Sequence, residues 1–417
     1  MNTHLKLFLT SLILLCAITT KAQEPEKPKF EIKPYGFINY EIILDTYKSL
    51  DARDGEVYFY PLMESLDANG KDKNEQLQLQ MLSLSTRFGL KISGPDILGA
   101  KTSGLIEADF FATANDYARL LTLRHLTINL KWEKSELLLG HYWHPVIVTE
   151  VIPANISFGA GVPINALNRS PQVRYTVFPS ESVKLSLTAL TQSYHKSTGP
   201  AEAQRNSGLP EIIAQASLGN RKTFMIGASA GYKWLTPRIE TATNYTTNKT
   251  IGQYLFNAYV MAKLSNTTIK AMALYGQNLT HLNMIGGYGM KTGTDANAEQ
   301  DYEYTSLKTL GAWFDLQQGF GKLGLGLFLG YSKLLGADDD YTSLTVGTVK
   351  YFRNDDMDYF YRISPRISYK EENLTFALEY MLAGAVYGKT WDAKHKVTSS
   401  MDPVYNNRIT FAAKYDF

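Results

Sequence analysis

The 417-residue chain has one cysteine, no excess of charge of either sign, and no long apolar run beyond residue 22. Without Cys16, which lies in a segment expected to be removed, the chain cannot form disulfides, use thiol catalysis or bind a metal through cysteine. A membrane-spanning helix needs about 20 apolar residues, so none is expected in residues 23–417. The 42 basic and 40 acidic residues are scattered, which argues against nucleic-acid binding.

The first 22 residues have the pattern of a secretory signal peptide. Lys6 precedes an apolar run over residues 7–18, and the segment ends on the small residue Ala22. Leu15 is too bulky for lipoprotein-type cleavage before Cys16. We expect cleavage after Ala22 and a short N-terminal segment over 23–29; an uncut N-terminal anchor is the alternative.

The composition favours a membrane barrel. The chain contains 27 Tyr and 31 Gly, and its aromatic content is 12%, while its mean hydropathy is only −0.20. In a transmembrane barrel only every second residue of a strand meets lipid, so the average hydropathy stays low.

The last residues alternate between apolar and polar side chains. One face carries Ile409, Phe411, Ala413, Tyr415 and Phe417, and the other carries Arg408, Thr410, Ala412, Lys414 and Asp416. Alternation with a period of two predicts a strand. The aromatic ending at Tyr415 and Phe417 resembles the assembly signal of bacterial outer-membrane barrels, which implies the barrel-assembly machinery and membrane lipid as partners.

The same alternation recurs along the chain. Leu82, Leu84, Thr86, Phe88, Leu90 and Ile92 form one expected lipid face, opposite Ser83, Ser85, Arg87 and Lys91; Leu126, Ile128 and Leu130 form another, opposite His125, Thr127 and Asn129. The predicted strands are about 32–46, 79–92, 102–112, 119–132, 136–142, 171–178, 183–192, 210–218, 223–234, 252–263, 268–279, 303–316, 322–333, 359–369, 374–386 and 404–417. This pattern predicts a single all-β domain over 30–417, a transmembrane antiparallel up-and-down β-barrel of about 16 strands.

The connections between the predicted strands alternate in length. Turns rich in Gly, Pro, Asn and Ser join every second pair of strands. The longer connections are 47–78, 113–118, 143–170, 193–209, 235–251, 280–302, 334–358 and 387–403. Short periplasmic turns on one rim and long outer loops on the other are typical of β-barrels in the outer membrane of Gram-negative bacteria.

A 16-stranded barrel is wide enough for an aqueous lumen. Charged residues on the polar faces of the strands, or in the third long connection, are therefore candidate lumen or constriction residues. The basic candidates are Arg87, Arg169, Arg174, Arg362, Arg366 and Arg408, and the acidic candidates are Glu107, Asp109 and Glu150. The alternative for each is a solvated lumen or rim residue without a selective role.

Two segments resemble known channels. Leu137 to Trp143, a long loop, and then Ser170 to Thr176 resemble a pattern of the DcaP-like outer-membrane channels. Phe37 to Glu41, with Gly99 to Phe110, resembles porin-like proteins of Bacteroidetes-type bacteria. By position, 143–170 resembles the third loop of the general trimeric porins, which folds into the lumen and narrows it. The resemblance spans residues 30–417 and implies a passive, trimeric channel, although the coiled-coil extension of some DcaP-like members is missing.

Three motifs invite other interpretations. Gly319 to Gly324 spells the dinucleotide-binding G-x-G-x-x-G, but it joins two predicted strands as a turn and no helix follows it. His141 and His144 with Glu150 could ligate a metal, but i and i+3 point to different faces of a strand. Acidic runs at 338–340 and 355–358 fall in one predicted outer loop and could bind a divalent ion, but the pattern favours a solvated acidic loop. We therefore assign no cofactor and no metal site.

Three hypotheses about function remain open from the sequence. The first is a porin for passive diffusion of small hydrophilic or charged solutes. The second is a substrate-selective channel with a plug, which connection 47–78 would have to supply. The third is a barrel enzyme using a nucleophile and base such as Ser83 and His125, but no motif joins them, so we expect no enzyme.

Overall fold

A computed structural model describes residues 30–112, 115–294, 298–341 and 350–417. The predicted signal peptide at 1–22 and the segment 23–29 lie outside these ranges. Within them, no helix is long and apolar enough to cross a membrane. The strands are β1 Glu31–Asp45, β2 Ser49–Ala52, β3 Val57–Pro61, β4 Gln78–Leu82, β5 Arg87–Ser93, β6 Lys101–Asp109, β7 Thr122–Lys131, β8 Ser135–Trp143, β9 Arg169–Ser180, β10 Val183–Leu190, β11 Glu211–Asn220, β12 Phe224–Leu235, β13 Ile251–Leu264, β14 Thr267–Gln277, β15 Gly286–Met290, β16 Tyr304–Phe320, β17 Leu323–Leu334, β18 Lys350–Arg353, β19 Met357–Glu371, β20 Leu374–Trp391, β21 Val397–Ser400 and β22 Val404–Asp416.

The described strands form a closed antiparallel barrel. Each wall strand pairs with its neighbours in sequence, and β1 pairs with β22, so the sheet has no free edge. Strands β4 and β5 together make one interrupted wall strand, and β2, β3, β15, β18 and β21 belong to connections. The wall therefore has 16 strands, which confirms the predicted fold class.

The connections follow the predicted alternation. Tight turns such as Gly321–Lys322 lie at one rim, together with the start of β1 and the end of β22. The G-x-G-x-x-G motif therefore forms the hairpin turn that joins β16 to β17. Strand β20 extends beyond its predicted end at residue 386 because β21 pairs with its outer end. Strand β16 extends beyond residue 316 at the short-turn rim, where its last residues pair with β17.

The predicted faces of β22 are confirmed. Ile409 and Tyr415 are 43% and 49% exposed on the outer surface, whereas Arg408 and Thr410 are each 1% exposed on the inside. Phe417 is also exposed, and its backbone exchanges two hydrogen bonds with Gly36, each 3.0 Å long. These bonds continue the seam that closes the barrel.

The lipid face predicted for residues 82–92 is wrong at Leu82 and Leu84. Glu41 lies opposite Leu82, whereas Phe37 lies opposite Arg87, so the partner strand carries one extra residue between these two points. An extra residue reverses which side chains point inward, since the period of a strand is two. Leu82 and Leu84 are consequently buried inside, while Phe88 and Leu90 face outward as predicted.

Candidate functional site

A second register shift builds the most charged part of the barrel interior. Between β6 and β7 the pairing slips after Glu107 and His125, so the next pair is Ala108 with Leu123. Arg124 is skipped by this slip, and both Arg124 and His125 are buried inside. Strict alternation would place Arg124 on the lipid face, and it was absent from the predicted candidates. The signal that could have found it is the cost of exposing a guanidinium to lipid.

Arg124 pairs with two of the predicted acidic residues. Its Nε donates to Glu107 at 2.8 Å, and its Nη1 donates to Asp109. Glu107 also accepts a hydrogen bond from the Tyr35 hydroxyl at 2.8 Å and lies 3.6 Å from Arg87 Nε. The inner wall at β5–β7 is therefore a mixed cluster in which two guanidinium groups share two carboxylates.

Among the buried arginines in this region, Arg169 has the fewest contacts that offset its positive charge. It lies over the ring of Trp143, 5.1 Å from the ring centroid. Its Nε and Nη1 atoms are buried and have no hydrogen-bond partner within the described part of the chain. Arg174, in contrast, donates to the carbonyl of Trp143 and to Gln172, both at 2.7 Å. The positive charge of Arg169 is therefore less compensated by its neighbours than that of Arg174.

The other three predicted arginines are held in buried ion pairs. Arg362 Nη2 lies 2.7 Å from Glu379, Arg366 Nη2 lies 2.7 Å from Asp315, and Arg408 makes a bidentate contact with Asp45 at 2.8 and 2.7 Å. Their acidic partners were not among the candidates. They lie on the inward faces of predicted strands, so the alternation that selected the arginines was also the signal for them.

Connection 143–170 lies across the barrel interior. The carbonyl of Ile152 accepts from Lys270 at 2.7 Å, and the backbone N–H of Ile156 donates to Glu379 at 2.8 Å. Asn165 accepts from the indole of Trp313 at 3.0 Å. These partners belong to β14, β20 and β16, which are far around the wall from β8 and β9.

Glu150 occupies a different position from the other acidic candidates. It lies 3.5 Å from Arg221 Nη1 and lines a cavity of about 290 Å³ beneath connection 143–170, on the side of the short turns. Arg174 lines the same cavity. Glu150 is therefore separated from the cluster around Glu107 and Asp109.

The first long connection also folds into the interior. Its hairpin, β2–β3, places Tyr60 against Phe360 with ring centroids 6.2 Å apart. The Tyr387 hydroxyl donates to the carbonyl of Pro61 at 2.6 Å, and Arg408 lies over the ring of Tyr58. The lumen lining was expected to be polar. On this side it is largely apolar, with Trp313, Phe328, Phe360 and Met381 packed against the inserted connections.

Two interior cavities border the charged cluster. One, of about 490 Å³, lies beside β1, β5 and β22 and is lined by Arg87 and Arg124. The other, of about 350 Å³, lies toward the long loops and is lined by Arg53, Arg169 and Arg353. Both cavities are lined by Phe158 and Leu167 of connection 143–170. These two side chains thus stand where the two spaces come nearest each other.

The residues considered for catalysis do not come together. Ser83 is exposed at the interruption between β4 and β5, whereas His125 is buried against Tyr142 and Trp143. His125 Nδ1 has no hydrogen-bond partner in the described ranges. The arrangement therefore lacks the contact between nucleophile and base that acyl transfer requires.

Comparison with solved structures identifies the class of fold. The chain is similar to the outer membrane channel DcaP of Acinetobacter baumannii, with 15% identity, a TM-score of 0.64, and coverage of 93% of this chain and 97% of that one. It is also similar to the outer-membrane protein OmpT of Vibrio cholerae, with 10% identity, a TM-score of 0.54, and coverage of 95% and 100%. Salmonella typhi OmpF, solved with daunomycin, matches at 10% identity and a TM-score of 0.51, with coverage of 93% and 97%.

The fold is thus that of the outer-membrane channel proteins. No protein-family model matches the sequence, and no curated protein matches it.

Proposed function

We propose that this protein is an outer-membrane porin that lets small hydrophilic or charged solutes diffuse through its lumen. The observation that carries the proposal is a closed 16-stranded barrel whose interior cavities are bordered by charged side chains. A barrel of this size leaves aqueous space unless loops fill it. The likeness in fold to DcaP and OmpF supports the same conclusion.

In this proposal connection 143–170 narrows the lumen. Phe158 and Leu167 form its narrowest part, and Arg87, Arg124 and Arg169 set the local charge together with Glu107 and Asp109. Because Arg169 has no acidic partner within 4.0 Å among the described residues, the net field at this level favours anions. Glu150 and Arg174 line the space below the connection, while Arg362, Arg366 and Arg408 hold the inserted segments in place.

The proposed location is the outer membrane, reached through cleavage after Ala22. Assembly would use the aromatic ending at Tyr415 and Phe417, and lipid would cover the outward faces of the strands. We also propose a homotrimer; OmpT of Vibrio cholerae, which shares the fold, has been solved in a trimer form.

A substrate-selective channel is the second candidate, favoured by the hairpin β2–β3 inside the barrel. Its Tyr58 and Tyr60 are almost fully buried against the inner wall. A segment seated in this way can act as a plug that a ligand must displace. This candidate predicts that the protein inserts into membranes without conducting until its ligand is present.

Single-channel recording separates the two candidates. The mature protein is added to a planar lipid bilayer with unequal salt on the two sides. Stepwise ohmic current without any ligand is expected for the porin, and a reversal potential on the anion side is expected from Arg169. Arg169→Gln should move that potential toward cation preference, while Arg205→Gln, at a position 80% exposed in an outer connection, should not.

Folded barrels that insert silently, as judged by heat-modifiable migration, would contradict the open porin and favour the plugged channel. Hydrolysis of phospholipid or peptide by the purified protein, lost in His125→Ala, would contradict both.

A further inference from the structure

Three buried side chains from distant parts of the chain meet at the outer end of the barrel. His144 begins connection 143–170, Glu211 is the first residue of β11, and His281 lies in the helical turn Leu279–Leu282. None of them is more than 1% exposed. The sequence had suggested His144 beside His141 and Glu150, but the fold brings it to Glu211 and His281 instead.

The spacing of these side chains is that of a metal-ligand set. His144 Nε2 lies 3.2 Å from Glu211 Oε1, and His281 Nε2 lies 3.4 Å from Glu211 Oε2. One ligand atom from each of the three residues can be chosen so that all lie within 4.8 Å of one another. Around a tetrahedral Zn²⁺ with bonds of about 2.1 Å, neighbouring ligand atoms are about 3.4 Å apart.

Two of the ligand atoms have no hydrogen-bond partner within the described part of the chain. These atoms are Glu211 Oε2 and His281 Nε2, which face each other but do not meet hydrogen-bond geometry. A buried polar atom without a partner costs free energy. A cation between the two atoms would satisfy both of them.

We propose that His144, Glu211 and His281 bind one transition-metal ion of the Zn²⁺ type. Two imidazole nitrogens and one carboxylate oxygen suit Zn²⁺ and its neighbours in the first transition row, whereas Ca²⁺ and Mg²⁺ prefer oxygen ligands throughout. Three protein ligands leave one position of a tetrahedral ion for water.

Lys233 is the group that competes with such an ion. Its Nζ lies 2.7 Å from His281 Nδ1 and donates to the carbonyl of Asn278 at 2.6 Å. A metal-ligating histidine normally donates from its other ring nitrogen, and an ammonium group cannot accept that proton. Removing the Lys233 charge should therefore strengthen metal binding.

The ion would fasten connection 143–170 at its base. His281 belongs to the connection between β14 and β16, which also contacts 143–170 through further hydrogen bonds. Asn168 Nδ2 donates to the carbonyl of His281 at 2.7 Å, and the Leu167 N–H donates to the carbonyl of Leu282 at 2.9 Å. Metal binding at this site does not depend on whether the lumen conducts.

The test is metal titration of the full-length mature barrel, refolded after treatment with a chelator. Calorimetry with Zn²⁺ should give one ion per chain, and Co²⁺ should give the visible absorption of a tetrahedral site with nitrogen and oxygen ligands. His281→Gln and Glu211→Gln should each weaken Zn²⁺ binding by more than the 10- to 100-fold typical of changes beyond the direct ligands. Lys233→Met should bind more tightly than the natural chain.

His141→Gln is the matched control, because His141 lies three residues from His144 and outside the cluster; its Zn²⁺ affinity should be unchanged. Heat-modifiable migration shows which variants fold. If the ligand variants do not fold, the Co²⁺ spectrum of the natural chain and the affinity of Lys233→Met decide the matter. Absence of stoichiometric binding, binding that survives in folded His281→Gln, or weak binding at many sites would each overturn the proposal.

Discussion

At the scale of single residues, the barrel interior depends on the partner that each buried charge finds. Arg408 and Asp45 are both almost fully buried, and their bidentate contact brings the two opposite charges together. Burying an ion pair costs desolvation free energy, but removing one partner leaves an uncompensated charge, which costs more.

Arg408→Met should therefore destabilise the barrel by about 3–5 kcal/mol. The double variant Arg408→Met with Asp45→Asn should recover much of this loss, because no charge is left unpaired. The free energy of unfolding in urea, measured for refolded protein in detergent micelles, checks both values. Lys33→Ala is the control, since its pair with Glu31 is exposed and should contribute less than about 1 kcal/mol. Equal losses in the single and double variants would contradict the role given to the pair.

At the scale of elements, two connections fill part of the lumen, and each is fixed by a few side chains. Within hairpin β2–β3, Glu56 is buried at the turn and neither carboxylate oxygen has a hydrogen-bond partner among the described residues. Burial, and then the nearby carboxylate of Glu41, raise the pKa of Glu56 to about 9. Burial also raises the pKa of Asp51 in the same hairpin.

Docking of the hairpin should therefore weaken as the pH rises. Below pH 4.5, the ordinary pKa of glutamate, Glu56 is protonated whether the hairpin is docked or free. Between 4.5 and about 9 the free hairpin loses a proton that the docked one keeps, which favours release by up to about tenfold per pH unit.

Hydrogen exchange of residues 49–61 should show less protection at about pH 8 than at about pH 5. Glu56→Gln should reduce this slope, with a remainder from Asp51, whereas Glu64→Gln, at an exposed position in the same connection, should leave it unchanged. Protection that rises with pH would contradict the assignment.

Connection 143–170 depends strongly on Glu379. This carboxylate accepts from the backbone of Ile156, from Ser157 and from Arg362. Glu379→Gln should loosen the connection, because Arg362 loses its counter-ion. On the proposed function, the single-channel current should become noisier and its mean conductance should change.

Glu371→Gln is the control for this prediction. Glu371 is half-exposed at a short turn, and within the described ranges its side chain pairs only with groups at the rim, Lys322 and Tyr369. A Glu379→Gln channel identical to the natural one would show that the connection does not border the conducting path.

At the scale of the whole molecule, closure between β1 and β22 removes the last free edges of the sheet. Nine residue pairs, from Phe37 with Asp416 to Asp45 with Arg408, form this seam. The backbone of Phe417 continues it through Gly36. A barrel that fails to close leaves unpaired backbone groups in lipid, which costs several kcal/mol per group.

Phe417→Ala should reduce the amount of folded protein in the outer membrane, as measured by membrane fractionation and heat-modifiable migration. Phe320→Ala is a matched control, because both side chains are similarly exposed, at 57% and 56%, but Phe320 lies at a hairpin end away from the seam. Equal yields of the two variants would contradict an assembly role for the terminal aromatic residue.

The fold could be predicted from sequence because lipid and water impose a period of two on every wall strand. That period gave the number of strands, the short-turn rim and the inward positions of Arg87, Arg362 and Arg408. The position of connection 143–170, which resembles that of the third loop of the general trimeric porins, likewise marked it as the one to examine.

Two features were decided by the tertiary structure alone. They are the positions where the alternation of inward and outward side chains is interrupted, and the contacts that cross the lumen. The register shifts near Leu84 and Arg124 each depend on the strand alongside, so alternation within one strand cannot reveal them. His144, Glu211 and His281 are separated by more than 60 residues from one another and meet because the barrel closes around the inserted connections. A local pattern reports which face a residue occupies; which other residues share that face at the same height is set by the pairing of the strands and the path of the connections.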